Sequence, residues 1–146
     1  MLYLSSRLKP ARSIGLESGD ILVVEGNGSE SEIGRCAVWR GEIENCVHQN
    51  HLIRCRPIYP EMSNYLMTCL NSSYGIAQMK KRAVTTSGLY NLSVGKIRSV
   101  TIPLPPLAEQ KRIVATVGRL MDLCDQLADR LEEAQETGTV WCESAL

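Results

Sequence analysis

Apolar residues in the last third of the chain recur with a heptad spacing. From residue 113 to residue 134 the successive steps are 4, 3, 4, 3, 4 and 3 residues, which places every member on one face of an α-helix. These positions are Ile113, Val117, Leu120, Cys124, Leu127, Leu131 and Ala134. The spacing predicts a long helix over 107–137, about 46 Å at the standard rise per residue.

The apolar stripe of this helix is wider than a two-stranded coiled coil needs. Val114, Met121, Leu123 and Ala128 flank the heptad positions. A domain of this size cannot easily cover so long a helix, so we expect the stripe to pack against another helix, from a second copy or from a partner protein. The alternative is a helix that folds back on the sheet of its own chain.

The first half of the chain contains short β-branched segments bounded by turn residues. They predict a small, mostly antiparallel sheet. The predicted strands are 21–24, 33–39, 43–47 and 51–56, with one more short strand at 100–102. Segment 93–97 is ambiguous between helix and strand.

Helical spacing of apolar residues begins at Pro60 and ends before Asn71. One or two further helical turns are predicted at 76–82, followed by a polar loop at 85–88. The extended segment Pro103-Leu104-Pro105-Pro106 then leads into the long helix, since proline is tolerated in a first helical turn. The fold class is therefore α+β, with a first domain over 1–103 and a heptad helix over 104–146.

The composition fits one compact domain with an appended element. The chain has 146 residues, and 16 Lys and Arg balance 16 Asp and Glu. Zero net charge argues against a protein held to nucleic acid or to an anionic membrane by bulk charge alone. The sequence contains neither an apolar run of membrane-spanning length nor an apolar signal-peptide stretch at its start, so we expect a cytoplasmic protein without a membrane partner.

The charges are nevertheless unevenly distributed. Residues 17–32 contain five acidic residues and no basic one, whereas 62–108 contain five basic residues and no acidic one. Lys80, Lys81 and Arg82 form the densest basic group, which suits a phosphate-facing surface. The alternative is a solvated helix end, where cations also complement the helix dipole.

No catalytic, metal or cofactor site is predicted. Without a signal peptide, the six cysteines are expected to be reduced thiols rather than disulfides. Cys46, His48, His51 and Cys55 resemble a zinc ligand set, but a strand does not make them converge. A cysteine nucleophile at Cys46 with His48 as its base is not supported, because no Asp or Asn is placed to orient the imidazole. The Gly26–Ser29 segment lacks the sequence context of a phosphate-binding loop, so it is interpreted as a tight turn.

A longer motif supplies a family resemblance. The segment from Leu104 to Val114, with its paired prolines followed by Glu-Gln-Lys-Arg-Ile, resembles the conserved spacer of specificity subunits from type I restriction–modification systems. Upstream stretches resemble the target recognition domain of the same family in order and spacing. They are Gly19-Asp20-Ile21-Leu22 with Gly26-Asn27-Gly28, Asn50-His51-Leu52-Ile53-Arg54, and Thr86-Ser87-Gly88 with Asn91-Leu92-Ser93.

This resemblance implies a non-catalytic subunit. Members of the family hold two target recognition domains apart by antiparallel helices, and each domain reads one half of a bipartite sequence in double-stranded DNA. Their helices recruit modification (methyltransferase) subunits and restriction subunits. By the same comparison this chain is expected to be less than one recognition domain plus one helix, because it starts inside the domain and ends within the helical region.

The expected function is therefore a DNA-recognising half-subunit that forms a homodimer through its C-terminal helix. The DNA-contact residues we predict are Asn27, Ser29, Lys80, Lys81, Arg82, Thr85, Thr86 and Ser87. The dimer or partner contacts we predict are Ile113, Val117, Leu120, Cys124, Leu127 and Leu131. The alternative is a fragment that does not bind DNA and acts only as a helix-mediated assembly partner, or an inactive relic.

Overall fold

The computed structural model describes residues 15–27, 29, 31–86 and 89–144. These residues form an α+β protein that ends in a long helix, as predicted. The elements are β1 (Ile21–Val24), β2 (Gly26–Asn27), β3 (Cys36–Val38), β4 (Leu52–Cys55), α1 (Ser63–Asn71), α2 (Ser73–Arg82), β5 (Val84–Thr86), β6 (Leu89–Asn91), α3 (Val94–Arg98) and α4 (Leu107–Ser144). A 3₁₀ turn over Pro60–Met62 precedes α1. The chain divides into two compact units between Gln110 and Lys111.

The first sheet has the strand order β3-β1-β4, and both pairings are antiparallel. Its central strand β1 lies at the predicted apolar run, and its burial alternates, with Ile21 and Val23 buried and Leu22 and Val24 half-buried. Helix α1 lies against β3 and adds Tyr65, Leu66 and Leu70 to the core. Burial of these apolar side chains is what stabilises the sheet.

A buried ion pair joins the start of β1 to the end of β4. Asp20 is 1% exposed, and its two carboxylate oxygens accept hydrogen bonds from Nε and Nη2 of Arg56 at 2.6 and 2.7 Å. The backbone N–H of Glu17 also donates to Asp20, at 2.8 Å. Every oxygen of the buried carboxylate therefore has a donor, which removes the cost of burying an unpaired charge.

The second sheet has the strand order β2-β6-β5. Glu25 connects it to the first sheet, because its N–H donates to the carbonyl of His51 and its carbonyl accepts from the N–H of Leu92. The chain therefore passes from one sheet to the next through a single residue whose two backbone groups are both hydrogen-bonded. Leu92, beyond β6, is buried at this junction.

Several predicted strand boundaries are wrong. The predicted strand at 33–39 contains only β3, since residues 31–34 form a turn. Residues 43–47 contain a bend and a turn, with Asn45 at a φ of 54°, and only Val47 makes a single bridge, to Gly15. Residues 100–102 pair with no described strand. The predicted loop at 85–88 instead begins in β5, and the ambiguous segment 93–97 lies in α3.

The second unit consists of most of α4. The helix has 38 residues, so it extends beyond the predicted 107–137 and is about 57 Å long. Pro105 and Pro106 precede it, and the carbonyl of Pro106 accepts from the backbone N–H of Gln110. Among the described residues, no helix combines the length and the apolar character that crossing a membrane requires.

Candidate nucleic-acid interface

The predicted basic group lies on the last turn of α2. This helix starts at a capped end, because the hydroxyl of Ser72 accepts from the N–H of Gly75 at 3.1 Å. Lys80, Lys81 and Arg82 follow at its C-terminal end, where positive charge complements the helix dipole. Only Ala83 separates this turn from β5, so the basic group leads directly into the second sheet.

The three basic side chains have different surroundings. Lys81 is exposed and Lys80 is half-buried, and neither forms an ion pair with another residue that the structure describes. Arg82 instead donates from Nε to the Ser99 hydroxyl at 2.8 Å and from Nη1 to the Gln78 carbonyl at 2.8 Å. Its guanidinium thus connects the end of α2 to the residue that follows α3.

An open depression of about 510 Å³ lies along the same helix. Tyr74, Ala77, Gln78, Lys81 and Arg82 line it. Tyr74 is 62% exposed. An aromatic ring and an ammonium group spaced two turns apart on one helix present both an apolar surface and a positive charge to a ligand.

The second sheet brings together the two polar segments predicted to contact DNA. Asn27 on β2 and Thr85 on β5 both pair with Tyr90 of β6, so the three residues form one row across the sheet. Thr86 pairs with Leu89 in the next row. The backbone register thus brings residues that are far apart in sequence to one level of the same sheet.

The two remaining predicted contacts are Ser29 and Ser87. Ser29 is exposed in the turn after β2, where its hydroxyl is 2.7 Å from that of Ser31. Ser87 lies outside the described residues. Strand β6 was missed in the sequence, because its three residues lack alternation, and Tyr90 was therefore not predicted as part of the site.

The four residues that resemble a zinc ligand set, Cys46, His48, His51 and Cys55, do not form a metal or thiol site in the part of the chain that the structure describes. Among the residues described, no group of three or more His, Cys, Asp or Glu side chains is placed to hold a metal ion. The Nδ1 atom of His48 lies 3.0 Å from the carbonyl of Gln49, and the thiol of Cys46 lies 3.6 Å from the carbonyl of Val47. These contacts are to neighbouring residues in the chain, and they do not orient His48 toward Cys46.

The heptad face of α4 is largely exposed. Ile113 is half-buried, whereas the later predicted contact positions are open to solvent. The exposed fractions are Val117 36%, Leu120 56%, Leu127 58% and Leu131 64%, and Cys124 is also exposed. The flanking Met121 and Leu123 are 56% and 54% exposed. An apolar surface of this length on a helix is typical of a protein-binding site.

Known proteins resemble the chain over most of its length. The family model of the type I restriction modification DNA specificity domain matches residues 12–136. The chain is 29% identical over 131 residues to the specificity subunit of the type I restriction enzyme EcoEI from Escherichia coli, a match that covers 88% of this chain and 22% of that subunit.

Two further relatives have the same description. The EcoKI specificity subunit from Escherichia coli strain K12 is 29% identical over 120 residues, covering 82% of this chain and 26% of the relative. The StySPI specificity subunit from Salmonella potsdam is 30% identical over 129 residues, covering 86% and 27%. The chain thus spans about a quarter of the length of these curated relatives. It belongs to the type I restriction modification DNA specificity domain family.

Proposed function

We propose that this chain recognises double-stranded DNA as a half-subunit of a type I restriction–modification system. The observation that carries the proposal is the convergence of the predicted polar and basic segments. Strand β2 is distant in sequence from the C-terminal turn of α2 and from β5, yet these segments adjoin one three-stranded sheet within a family named for DNA specificity. The chain itself does no chemistry in this proposal.

Local charge supports DNA binding on this side of the protein. Residues 62–108, which include α2, β5, β6 and α3, contain five basic and no acidic residues. The Lys80 and Lys81 ammonium groups have no carboxylate partner among the described residues, so a phosphate would not have to displace one. Contacts of this kind fix the position of the protein on the duplex without reading sequence.

The depression on α2 extends this positioning surface. Lys81 would pair with a backbone phosphate, while Tyr74 packs against a sugar or donates from its hydroxyl to the next phosphate. Arg82 contributes by holding α2 against the end of α3, through its bonds to Ser99. Its positive charge still adds to the local potential near the DNA.

Sequence would be read by the polar residues of the second sheet and its turns. Asn27 on β2 and Thr85 and Thr86 on β5 lie on the two strands that flank β6, Ser29 follows β2, and Ser87 follows Thr86 in the sequence. Asparagine, serine and threonine side chains hydrogen-bond to base edges as well as to phosphates. We assign these residues to base or near-base contacts and the α2 lysines to the backbone.

The exposed stripe of α4 would assemble the active complex. We infer that a second copy of the chain binds this stripe, giving a homodimer with two recognition domains, and that modification and restriction subunits bind the assembled helices. The width of the stripe supports more than one partner, since Met121 and Leu123 lie outside the heptad seam yet are exposed. The alternative is a chain that assembles through α4 but does not bind DNA.

The decisive experiment combines methylation mapping with a binding titration. Cells expressing the chain with its modification subunit are expected to gain adenine methylation at an interrupted palindrome, since two identical copies read identical half-sites. Absence of any new motif, with both proteins soluble and co-purifying, would leave an assembly partner that does not read DNA.

A salt titration of the purified chain tests the backbone contacts. The double variant Lys80→Ala/Lys81→Ala should bind duplex DNA more weakly and reduce the slope of log affinity against log salt by roughly 2. The matched control, Lys111→Ala/Arg119→Ala, removes two exposed cations of α4 and should keep the slope. Equal slopes for the two double variants would contradict the role of the α2 lysines.

A further inference from the structure

Two exposed side chains converge on Gly26 at the junction of the two sheets. A Cβ atom built on Gly26 would lie 3.1 Å from Oδ1 of Asn91 and 3.4 Å from Nδ1 of His51. Both side chains are exposed. The absence of a side chain at Gly26 therefore leaves space that the amide and the imidazole occupy together.

The backbone explains why these residues meet. Gly26 pairs with Asn91 in the β2–β6 ladder, which places Asn91 directly across from the glycine. The neighbouring Glu25 donates its N–H to the carbonyl of His51, at 2.9 Å, which brings the turn before β4 to the same place. Three segments far apart in sequence thus contribute one residue each, and the rigid ladder fixes their relative positions.

Neither side chain belongs to the hydrogen-bond network of the residues that the structure describes. None of the residues that the structure describes forms a hydrogen bond with the side chain of His51 or Asn91. The other histidine differs, since its Nδ1 lies within hydrogen-bonding distance of the Gln49 carbonyl. Two exposed hydrogen-bonding side chains that lie close together on paired backbone, without a partner among the described residues, are suited to a polar ligand.

The chemistry of the pair favours a base edge over a phosphate. An asparagine amide offers a donor and an acceptor side by side, which matches N7 and N6 of adenine in the major groove. A phosphate has no donor for the amide oxygen. The chain neighbour of Gly26 is Glu25, whose negative charge also disfavours phosphate at this position.

We propose that Asn91 and His51 form a base-reading pair over Gly26, with Asn91 hydrogen-bonding an adenine and His51 hydrogen-bonding the adjacent base. This inference rests on the proposed function, and it adds two specificity-determining residues that the predicted contact set did not contain. Gly26 contributes by leaving room for both side chains.

The test begins with the wild-type chain. Duplexes with a randomised stretch are selected for binding, and the ratio of affinities for the selected duplex and for a scrambled duplex of the same composition is measured at one salt concentration. His51→Ala and Asn91→Ala are each expected to lower this ratio roughly tenfold or more. Binding to the scrambled duplex and its salt slope should stay as in the wild type.

Matched controls separate base reading from a general loss of structure. His48→Ala at a half-buried position and Asn64→Ala at an exposed one remove the same side-chain types elsewhere and should keep the ratio. Gly26→Ala places a methyl group against the side chains of Asn91 and His51, so it should lower the affinity ratio. The midpoint of thermal unfolding should change little. Asn91→Asp keeps the shape but loses the donor, so repeating the selection with it should replace adenine at one position, with cytosine favoured instead.

The outcomes distinguish this inference from the proposed function. A wild-type preference that survives both His51→Ala and Asn91→Ala overturns the base-reading pair and leaves DNA recognition intact. An unchanged adenine preference in Asn91→Asp likewise overturns the role of Asn91. A wild-type chain without salt-dependent DNA binding overturns the proposed function and this inference with it.

Discussion

The side-chain amide of Asn71 pairs with the backbone of Cys36 as a neighbouring strand would. Its Oδ1 accepts from the Cys36 N–H at 3.0 Å, and its Nδ2 donates to the Cys36 carbonyl at 2.8 Å. Strand β3 lies at the edge of the first sheet. The unpaired backbone N–H and C=O groups of an edge strand can pair with another chain. One residue at the end of α1 thus satisfies part of the exposed edge.

Replacing Asn71 should therefore weaken the sheet edge. We expect Asn71→Ala to lower the free energy of unfolding in urea by about 1 kcal/mol, the usual value of hydrogen bonds of this kind that are accessible to water. Asn64→Ala, on the exposed face of the same helix, is the control and should change it little. Equal stability of the two variants would show that the Asn71–Cys36 pairing contributes nothing.

The Asp20–Arg56 pair predicts a loss of stability in acid. Burial raises the pKa of the Asp20 carboxyl, but the hydrogen bonds from Arg56 and from the backbone of Glu17, together with nearby arginine charge, lower it more, so its pKa lies below the ordinary value of 3.8. A lower pKa in the folded state means that the pair stabilises the protein above the unfolded pKa. This contribution is lost as the pH falls through the folded value.

Asp20→Asn tests this directly in urea titrations between neutral pH and about pH 3. The variant should be less stable by about 2 kcal/mol at neutral pH, and its stability should fall less steeply in acid than that of the wild type. Glu61→Gln removes an exposed carboxylate near the end of β4 and should leave the acid profile unchanged. Parallel profiles for Asp20→Asn and the wild type would contradict the assignment.

The thiols should react at very different rates. Burial, with a smaller contribution from Cys55, raises the pKa of the Cys36 thiol to about 12, and burial raises that of Cys55 to about 11. The thiolate is the reactive form, so both residues should resist alkylation at pH 8 in the folded protein. In the Leu127→Asp variant, expected to be monomeric, Cys124 is exposed and should be alkylated before Cys36 and Cys55.

Mass spectrometry of peptides after timed alkylation measures this order. Unfolding in urea should abolish the protection of Cys36 and Cys55, which serves as the internal control. Modification of Cys36 as fast as Cys124 in the native protein would mean that the β3 edge opens readily.

The parts of the fold that local pattern decides were predictable from the sequence. The β-branched apolar run at 21–24 predicts β1, and the heptad positions predict α4, because both patterns are local in the sequence. The strand predicted at 43–47 is wrong for a local reason. Asn45 adopts a positive φ, which asparagine tolerates and which interrupts a strand.

The second sheet was not predictable in the same way. Strand β6 has three residues, and it exists because it pairs with β2 on one side and β5 on the other. Pairing between distant segments is a tertiary effect that periodicity does not report. The candidate DNA contacts were therefore identified one by one in the sequence, whereas their common row through Tyr90 required the structure.

The exposed seam of α4 predicts self-association. Leu127 is 58% exposed, and burying a leucine side chain at a helix interface contributes about 1.5–3 kcal/mol. We expect Leu127→Asp to weaken the proposed dimer more than tenfold and to shift the mass in solution toward that of a monomer. Light scattering coupled to size exclusion measures the change.

Ala115→Asp provides the matched control for this variant. Residue 115 is exposed and lies outside the heptad seam, so the substitution adds the same charge to the same helix without entering the stripe. It should leave the dimer mass unchanged. An unchanged mass for Leu127→Asp, or a wild-type chain that is monomeric at all concentrations, would rule out the proposed homodimer.

Gly118 interrupts an otherwise favourable stretch of α4 without a steric reason inside the chain. A Cβ atom at this position would meet no atom within 4 Å. Glycine in a helix interior is less favourable than alanine by about 1 kcal/mol. In the Leu127→Asp background, expected to be monomeric, Gly118→Ala should therefore raise helix content and stabilise the helix by about that amount, measured by circular dichroism during thermal unfolding.

The same substitution in the wild-type background tests how closely a partner approaches. If the backbone of a second copy packs against Gly118, the added methyl group should weaken the dimer although it stabilises the isolated helix. If no partner approaches, both backgrounds should gain the same stability and the dimer mass should be unchanged. A loss of helix content in the Leu127→Asp background would contradict the open environment of Gly118, because only a neighbouring group in the same chain would cause it.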